Sequence, residues 1–140
     1  LGTETISKIA ALNAAEIAKM DPVKGAKKQA RWEAIPGWCV LTATTSHGGD
    51  SSSLQEREDY AATCCAAQNF MLSLHAQGVG TKWTTGPITR TPEFAQLCGI
   101  DSATEQVVGC LWYGYASGDL ETIPTPQRKK SVAEVSRTRP

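Results

Sequence analysis

Two short apolar runs with little alternation constrain the fold most strongly. Residues 38–44 read Trp-Cys-Val-Leu-Thr-Ala-Thr, and residues 106–115 read Gln-Val-Val-Gly-Cys-Leu-Trp-Tyr-Gly-Tyr. Both runs are rich in β-branched and aromatic residues, and an apolar strand without alternation is typical of one covered on both faces. The two runs therefore predict buried strands within a layered structure.

Two helices are predicted before the first strand. Apolar residues recur at spacings of three and four over residues 3–20, which is the pattern of an amphipathic helix. Asp21 followed by Pro22 is typical of an N-cap and a first helical position, so a second helix is expected to begin there and to stop before Pro36. This helix carries a basic face that we expect to be solvated: Lys24, Lys27, Lys28 and Arg31.

A long helix is predicted between the two strands. Ser53 and Glu56 have the spacing of a capping box, and helical periodicity continues over residues 54–78. We expect this central helix to bury a broad face, with Cys64 and Cys65 as packing residues. His75 is expected at the edge of the core on the same helix.

The shorter elements follow from turn residues. Residues 81–85 are a candidate brief strand, and Thr91 and Gly99 delimit a short helix. Residues 131–135 are compatible with one helical turn.

The resulting fold class is α+β, with one domain over residues 1–120 and an extended basic tail over residues 121–140. Two clear strands do not form a stable sheet by themselves. We therefore expect the sheet to be incomplete without a segment before Leu1 or a partner chain, such as the second subunit of a homodimer or a neighbour in a larger complex.

Composition disfavours several classes of function. Fourteen Lys and Arg balance fourteen Asp and Glu, so the chain has no net charge to attract nucleic acid. No apolar run reaches the roughly 20 residues that cross a bilayer, so no transmembrane segment is expected. The five cysteines include no Cys-x-x-Cys pair, which disfavours a metal site and a disulfide framework and favours a reducing compartment, the cytoplasm or an organelle interior.

The residue types of a ligand-binding loop gather after the long helix. Thr84 and Thr85 offer hydrogen-bond donors and acceptors, and Gly86 allows a backbone N–H to approach a ligand closely. An ordinary strand and turn explains the same residues equally well. Arg128 and Lys129 can hold a phosphate, although a solvated basic tail is the commoner meaning of such residues. Neither His47 nor His75 has a sequence context that predicts catalysis, and no catalytic triad is expected.

Residues 66–86 resemble the signature of the flavin-dependent nitroreductase family. The resemblance lies in Ala-Ala-Gln-Asn on the long helix, in the following Gly-Val-Gly-Thr-Lys-Trp, and in the pair Thr85-Gly86. Residues 97–100, 105–115 and 126–129 are similar to later segments of the family. The resemblance implies a mixed sheet flanked by helices, a homodimer, an FMN at each interface, and NAD(P)H as the electron donor for nitroaromatic, quinone or flavin-like acceptors.

The resemblance also implies six cofactor-binding residues and no catalytic side chain, because the flavin supplies the chemistry. The backbone N–H groups of Thr85 and Gly86 would lie on the N5 side of the flavin. Trp83 and Thr84 would border its ring, and Arg128 and Lys129 would hold its phosphate.

Two functions remain open from the sequence. The family's opening phosphate clamp, Arg-Arg-Ser-x-Arg, has no counterpart in the sequence, which favours a flavin-free nitroreductase-like subunit or scaffold of a larger assembly. The intact loop over residues 83–86 and the presence of Arg128 favour an FMN-dependent NAD(P)H oxidoreductase.

Overall fold

A three-stranded sheet separates two layers of helices in the computed structural model, which describes residues 1–45, 53–118 and 127–138. The elements in chain order are α1 (Thr3–Ala18), α2 (Pro22–Glu33), β1 (Gly37–Thr44), α3 (Leu54–Ala76), β2 (Gly80–Thr84), a 3-10 helix (Pro87–Arg90), α4 (Pro92–Cys98), β3 (Glu105–Gly114) and α5 (Val132–Val135). The α+β fold class is therefore confirmed. None of the helices in the described residues has the length and apolarity needed to span a membrane.

The sheet has the order β1-β3-β2, so the two long strands predicted from the sequence are neighbours. The candidate brief strand is β2, and it supplies the third strand that the sequence analysis expected from outside the chain. A mixed sheet contains both parallel and antiparallel pairs of strands. All pairings between the described strands are antiparallel.

Three tryptophans form the centre of the core on one face of the sheet. Trp38 of β1 lies directly opposite Trp112 of β3, with ring centroids 5.0 Å apart. Trp32 of α2 packs edge-on against both rings, at 5.4 Å from Trp38 and 5.2 Å from Trp112. Each such aromatic pair contributes about 0.5–1.5 kcal/mol beyond the burial of its surface. The cluster therefore attaches α2 to the middle of the sheet.

The opposite face of the sheet carries α3, which buries less than the sequence predicted. Ala67 is fully buried and Phe70 meets Tyr113 of β3 edge-on, but Cys65 and His75 are exposed. The predictions that α3 buries a broad face, that Cys65 packs in the core and that His75 lies at the core edge are therefore wrong for the single chain. The sheet covers only one side of a helix, whereas the apolar and small residues of α3 extend around it.

The predicted caps are confirmed. A side-chain oxygen of each N-cap residue accepts a hydrogen bond from a backbone N–H in the first turn: Asp21, Ser53 and Thr91. Gly99 ends α4 in the left-handed conformation, at a φ of 68°. The Glu56 carboxylate of the predicted capping box accepts a hydrogen bond from the Thr45 hydroxyl at 2.9 Å, which ties the start of α3 to the end of β1.

Close packing of α1 against α2 sets the position of α2 from its other side. A Cβ at Gly25 would lie 2.8 Å from the carbonyl oxygen of Ala14 and 2.9 Å from the Cβ of Ala18. Both neighbours are fixed by the backbone and cannot turn away. Only glycine therefore allows the two helices to approach this closely.

We expect the substitution Gly25→Leu to lower the free energy of unfolding by about 2 kcal/mol, because the larger side chain forces the helices apart. Urea unfolding followed by circular dichroism measures the change. Ala26→Leu on the exposed face of the same helix is the control and is expected to stay within about 0.5 kcal/mol of the native chain. Equal destabilisation by the two substitutions would contradict the close helix crossing.

Candidate functional site

Strand alternation divides the predicted cofactor-binding residues between two faces of the sheet. Thr84 and Gly86 line a cavity on the face that carries α1 and α2. Trp83 faces the other way, and a Cβ at position 109 would clash with its indole nitrogen, so Trp83 lies against the backbone of β3. Thr85 is exposed at the end of β2 and does not line the cavity.

The cavity has a volume of about 790 Å³ and lies between the C-terminal half of α1, the helix α2, β2 and the 3-10 helix. Its lining includes the indoles of Trp32 and Trp112. Four basic residues also line it: Lys24, Lys28, Arg31 and Lys82. Most of the basic face of α2, which the sequence analysis expected to be merely solvated, therefore belongs to the cavity.

Two of these cations lie over the tryptophan rings. Lys82 is directly opposite Trp112 in the strand register, and its Nζ is 5.5 Å from the ring centroid. The Nζ of Lys28 is 5.9 Å from the Trp32 ring. A cation at this distance from an indole face gains about 0.5–1 kcal/mol when it is exposed. Each lysine is thus held near the cavity by an aromatic ring.

Both acidic residues that line the cavity already have a partner within the chain. Glu16 pairs with Lys19 at 2.6 Å, and the Asp21 carboxylate accepts the backbone N–H of Lys24 as the N-cap of α2. Within the described residues, salt bridges join only Lys19 to Glu16 and Lys8 to Glu4. The four cations of the cavity consequently form no salt bridge within the described residues, and they outnumber the two acidic residues that line the cavity.

Gly86 presents an open backbone beside this cavity. Its carbonyl oxygen accepts hydrogen bonds from the backbone N–H of Thr89 at 3.0 Å and from the Thr89 hydroxyl at 2.8 Å. The N–H of Gly86 has no backbone partner in the part of the chain that the structure describes. The φ of −60° suits any residue, and a Cβ here would meet nothing within 4 Å. Neither conformation nor packing within the chain therefore requires a glycine at this position.

Arg128 and Lys129 lie in the C-terminal segment and are exposed. Neither makes a hydrogen bond or an ion pair within residues 1–45, 53–118 and 127–138. Neither residue lines the cavity with Thr84 and Gly86, and their phosphate-binding role stays a prediction. The segment does contain the helical turn that the sequence indicated, with Ser131 and Glu134 forming a capping box.

One histidine, His75, lies within the described residues, and it does not line the cavity. His75 is exposed on α3, and His47 lies outside the described residues. No group of three or more His, Cys, Asp or Glu side chains in the described residues has an arrangement that could hold a metal ion.

All five cysteines are free thiols, and Cys110 is the one buried in the core. Burial, with smaller contributions from the nearby Cys98 and Cys39, raises the pKa of the Cys110 thiol from its ordinary value of 9.0 to about 12. Burial also raises the pKa of Cys98. Because the thiolate is the reactive form, these two residues are poor nucleophiles in the folded protein.

We expect iodoacetamide to leave Cys110 unmodified in the folded protein at about pH 8 and to alkylate it once the protein is unfolded in urea. Peptide mass mapping measures the modification of Cys110 in both states. Folding holds the Cys110 proton more tightly than the unfolded chain does, so this thiol lowers the stability of the fold as pH rises from 9.0 towards about 12. Alkylation of Cys110 at the same rate in the folded and the unfolded protein would contradict the burial.

Comparisons with known proteins agree on one family. The family model described as "Nitroreductase family" matches residues 4–115. A crystal structure of a nitroreductase-like family protein from Bacillus cereus superimposes with a TM-score of 0.73 and 27% sequence identity, over 97% of this chain and 67% of that chain. No curated protein matches the sequence. The family match over most of the chain confirms the resemblance seen in the sequence, and this chain belongs to the nitroreductase family.

Proposed function

We propose that this chain is an FMN-dependent oxidoreductase that takes electrons from NAD(P)H and passes them to nitroaromatic, quinone or flavin-like acceptors. Membership of the nitroreductase family supports flavin-dependent oxidoreduction in general. The identity of the flavin, the electron donor and the acceptor are the finer parts of the proposal.

The backbone of Gly86 is the observation that carries the proposal. Its N–H has no backbone partner in the described residues, and the space where a side chain would lie is empty. Neither the backbone conformation nor the packing of the chain requires a glycine at this position. A ligand that must approach the backbone closely explains why one is present. The residues present therefore fit a flavin at this loop.

The cofactor, when bound, supplies two-electron hydride chemistry, so the chain itself needs only to bind and orient. Gly86 would donate its N–H to the ligand. The Thr84 hydroxyl, which makes no hydrogen bond within the described residues, would offer a donor and an acceptor on the same face. Arg128 and Lys129 would hold the phosphate through charge-assisted hydrogen bonds.

We expect Gly86→Val to weaken FMN binding by about tenfold or more, which corresponds to 1.4 kcal/mol, because the side chain blocks the approach to the backbone N–H. Quenching of FMN fluorescence on titration with the protein measures the affinity. The extended conformation of Gly86 accommodates valine, so the variant is expected to fold.

Gly118→Val is the matched control, because a Cβ at Gly118 also meets nothing within 4 Å and this residue is outside the proposed site. The control is expected to keep the native affinity. FMN binding that is unchanged in Gly86→Val would overturn the role of Gly86. A folded native chain that binds no FMN would overturn the oxidoreductase proposal and favour the flavin-free scaffold.

We further propose that α3 packs against a second copy of this chain. No Asp, Glu, Lys or Arg occurs over residues 60–81, although much of α3 is exposed. Ala61, Ala62, Cys65, Ala66 and Leu72 are exposed uncharged residues on it. An uncharged exposed helix surface of small residues is typical of a surface that another helix covers.

We expect the native chain to elute at twice its mass of 15.0 kDa and Ala66→Glu to elute as a monomer, because a carboxylate cannot be buried unpaired in an apolar interface. Size-exclusion chromatography with light scattering measures both masses. Ala11→Glu makes the same change at an exposed position of α1 and is expected to leave the dimer intact. A monomeric native chain, or a dimeric Ala66→Glu variant, would contradict a dimer formed through α3.

A further inference from the structure

The C-terminal segment, residues 127–138, contains a serine in a setting that the proposed function does not use. We propose that Ser131 is the phosphate acceptor of a protein kinase that recognises basic residues. Ser131 lies at the start of α5, and none of the described residues of the segment lines the cavity between α1, α2 and β2. The modification itself does not depend on flavin binding.

The first argument is the order of charges along the segment. Arg128, Lys129 and Lys130 form the only run of three consecutive basic residues in the sequence, and Ser131 follows it directly. The first acidic residue after the serine is Glu134. Kinases distinguish their substrates largely by charge, so a kinase with an acidic peptide groove selects a serine that follows such a run.

The second argument is access to the hydroxyl. All residues of the segment are exposed, and Ser131 has an extended backbone with a φ of −69° and a ψ of 164°. Within the described residues, the hydrogen bonds of this segment stay between Ser131 and Ser136. The one helical turn there is α5. Little structure therefore has to open before a kinase reaches the serine.

The third argument is the apolar residue that directly follows the acceptor. The side chain of Val132 is 62% exposed, and it gains free energy when a partner covers it. An anionic membrane would attract the same cations, but the four residues of α5 are too few for the amphipathic helix that holds a protein at a membrane surface. The basic run and Val132 therefore favour the groove of a protein over a lipid surface.

The transfer takes its phosphoryl group from ATP, which the kinase binds with Mg²⁺. The Oγ of Ser131 forms a bond to the γ-phosphorus, and the bond from this phosphorus to the oxygen between the β- and γ-phosphates breaks. ADP leaves, and the hydroxyl proton passes to the catalytic aspartate of the kinase. The product carries a charge of about −1.5 to −2 at pH 7 on the serine.

This phosphate breaks the capping box of α5. The Ser131 hydroxyl donates a hydrogen bond to the Glu134 carboxylate at 2.8 Å, and its oxygen accepts the backbone N–H of Glu134 at 3.3 Å. A phosphate beside a carboxylate repels it instead. Arg128 and Lys129, which form no salt bridge within the described residues, are then the cations nearest in sequence that are able to pair with the phosphate.

Phosphorylation therefore competes with the role proposed for Arg128 and Lys129, and this consequence rests on the proposed function. A phosphoserine paired with either residue leaves less positive charge for the phosphate of FMN. We expect the phosphorylated chain to bind FMN at least about tenfold more weakly than the unmodified chain. Unchanged FMN affinity would overturn this competition.

Incubation of the native chain with radiolabelled ATP and the catalytic subunit of the cyclic-AMP-dependent protein kinase, which prefers basic residues before the serine, tests the modification. Peptide mass mapping locates the phosphate. We expect about one phosphate per chain, on Ser131, and at least about tenfold less incorporation into Ser131→Ala. Casein kinase II, which prefers acidic residues after the serine, is expected to leave Ser131 unmodified.

Two variants test the recognition by charge. Arg128→Gln is expected to lower the rate of phosphate incorporation about tenfold or more, because it removes a charge that precedes the acceptor. Arg137→Gln removes the same charge from an exposed position of the segment that follows the acceptor, and is expected to be modified as the native chain is. Circular dichroism confirms that each variant is folded.

Three results would overturn the site: no transfer to the native chain, phosphate on a residue other than Ser131, or equal slowing in Arg128→Gln and Arg137→Gln. Binding of the native chain to vesicles of anionic lipid without any transfer from ATP would assign the basic run to a membrane surface instead. FMN titration of the unmodified chain decides the proposed function separately. Phosphate on Ser131 of a chain that binds no FMN supports the site and overturns the oxidoreductase proposal, whereas FMN binding without phosphate transfer does the reverse.

Discussion

Trp32 packs against Trp38 and Trp112, and this contact sets the position of α2 on the sheet. The two strand tryptophans are opposite each other in the register of β1 and β3, and the third arrives from α2. This contact attaches α2 to the middle of the sheet, while Gly25 allows α1 to lie close against its other side. As a consequence, the basic face of α2 is directed over the end of β2, where the chain leaves Gly86 with an open backbone. The packing of the core therefore also sets the position of the candidate site.

The alternation of β2 then decides which residues can act together. Lys82, Thr84 and Gly86 share the cavity with α2, whereas Trp83 packs on β3 from the other face of the sheet. Lys82 lies directly opposite Trp112 in the antiparallel pair of β2 and β3. The register of these two strands therefore places the lysine charge beside the ring. The buried thiol of Cys110 lies opposite Thr84 in the same register and stays protonated, so the chain provides binding groups here rather than a reactive side chain.

Much of the fold can be read from the sequence because it depends on local signals. The caps at Asp21 and Thr91, the left-handed Gly99 and both long strands follow from residue types at fixed spacings. The exposure of α3 cannot be read in this way, because periodicity indicates which faces are apolar and not whether anything covers them. The sequence pattern also does not predict the basic cavity. Lys24 and Lys82 are far apart in the sequence, and the packing of Trp32 on the sheet brings their elements together. The one available signal was the spacing of Lys24, Lys28 and Arg31 on a single face of α2.

We propose that this member of the nitroreductase family works as a flavoprotein. The most direct measurement is the visible absorption spectrum of the chain after incubation with FMN and gel filtration, followed by anaerobic addition of NADH or NADPH. We expect flavin to stay with the protein and its absorption to bleach when one of the two donors is added. A folded protein that elutes without flavin, or a bound flavin that neither donor reduces, would contradict it.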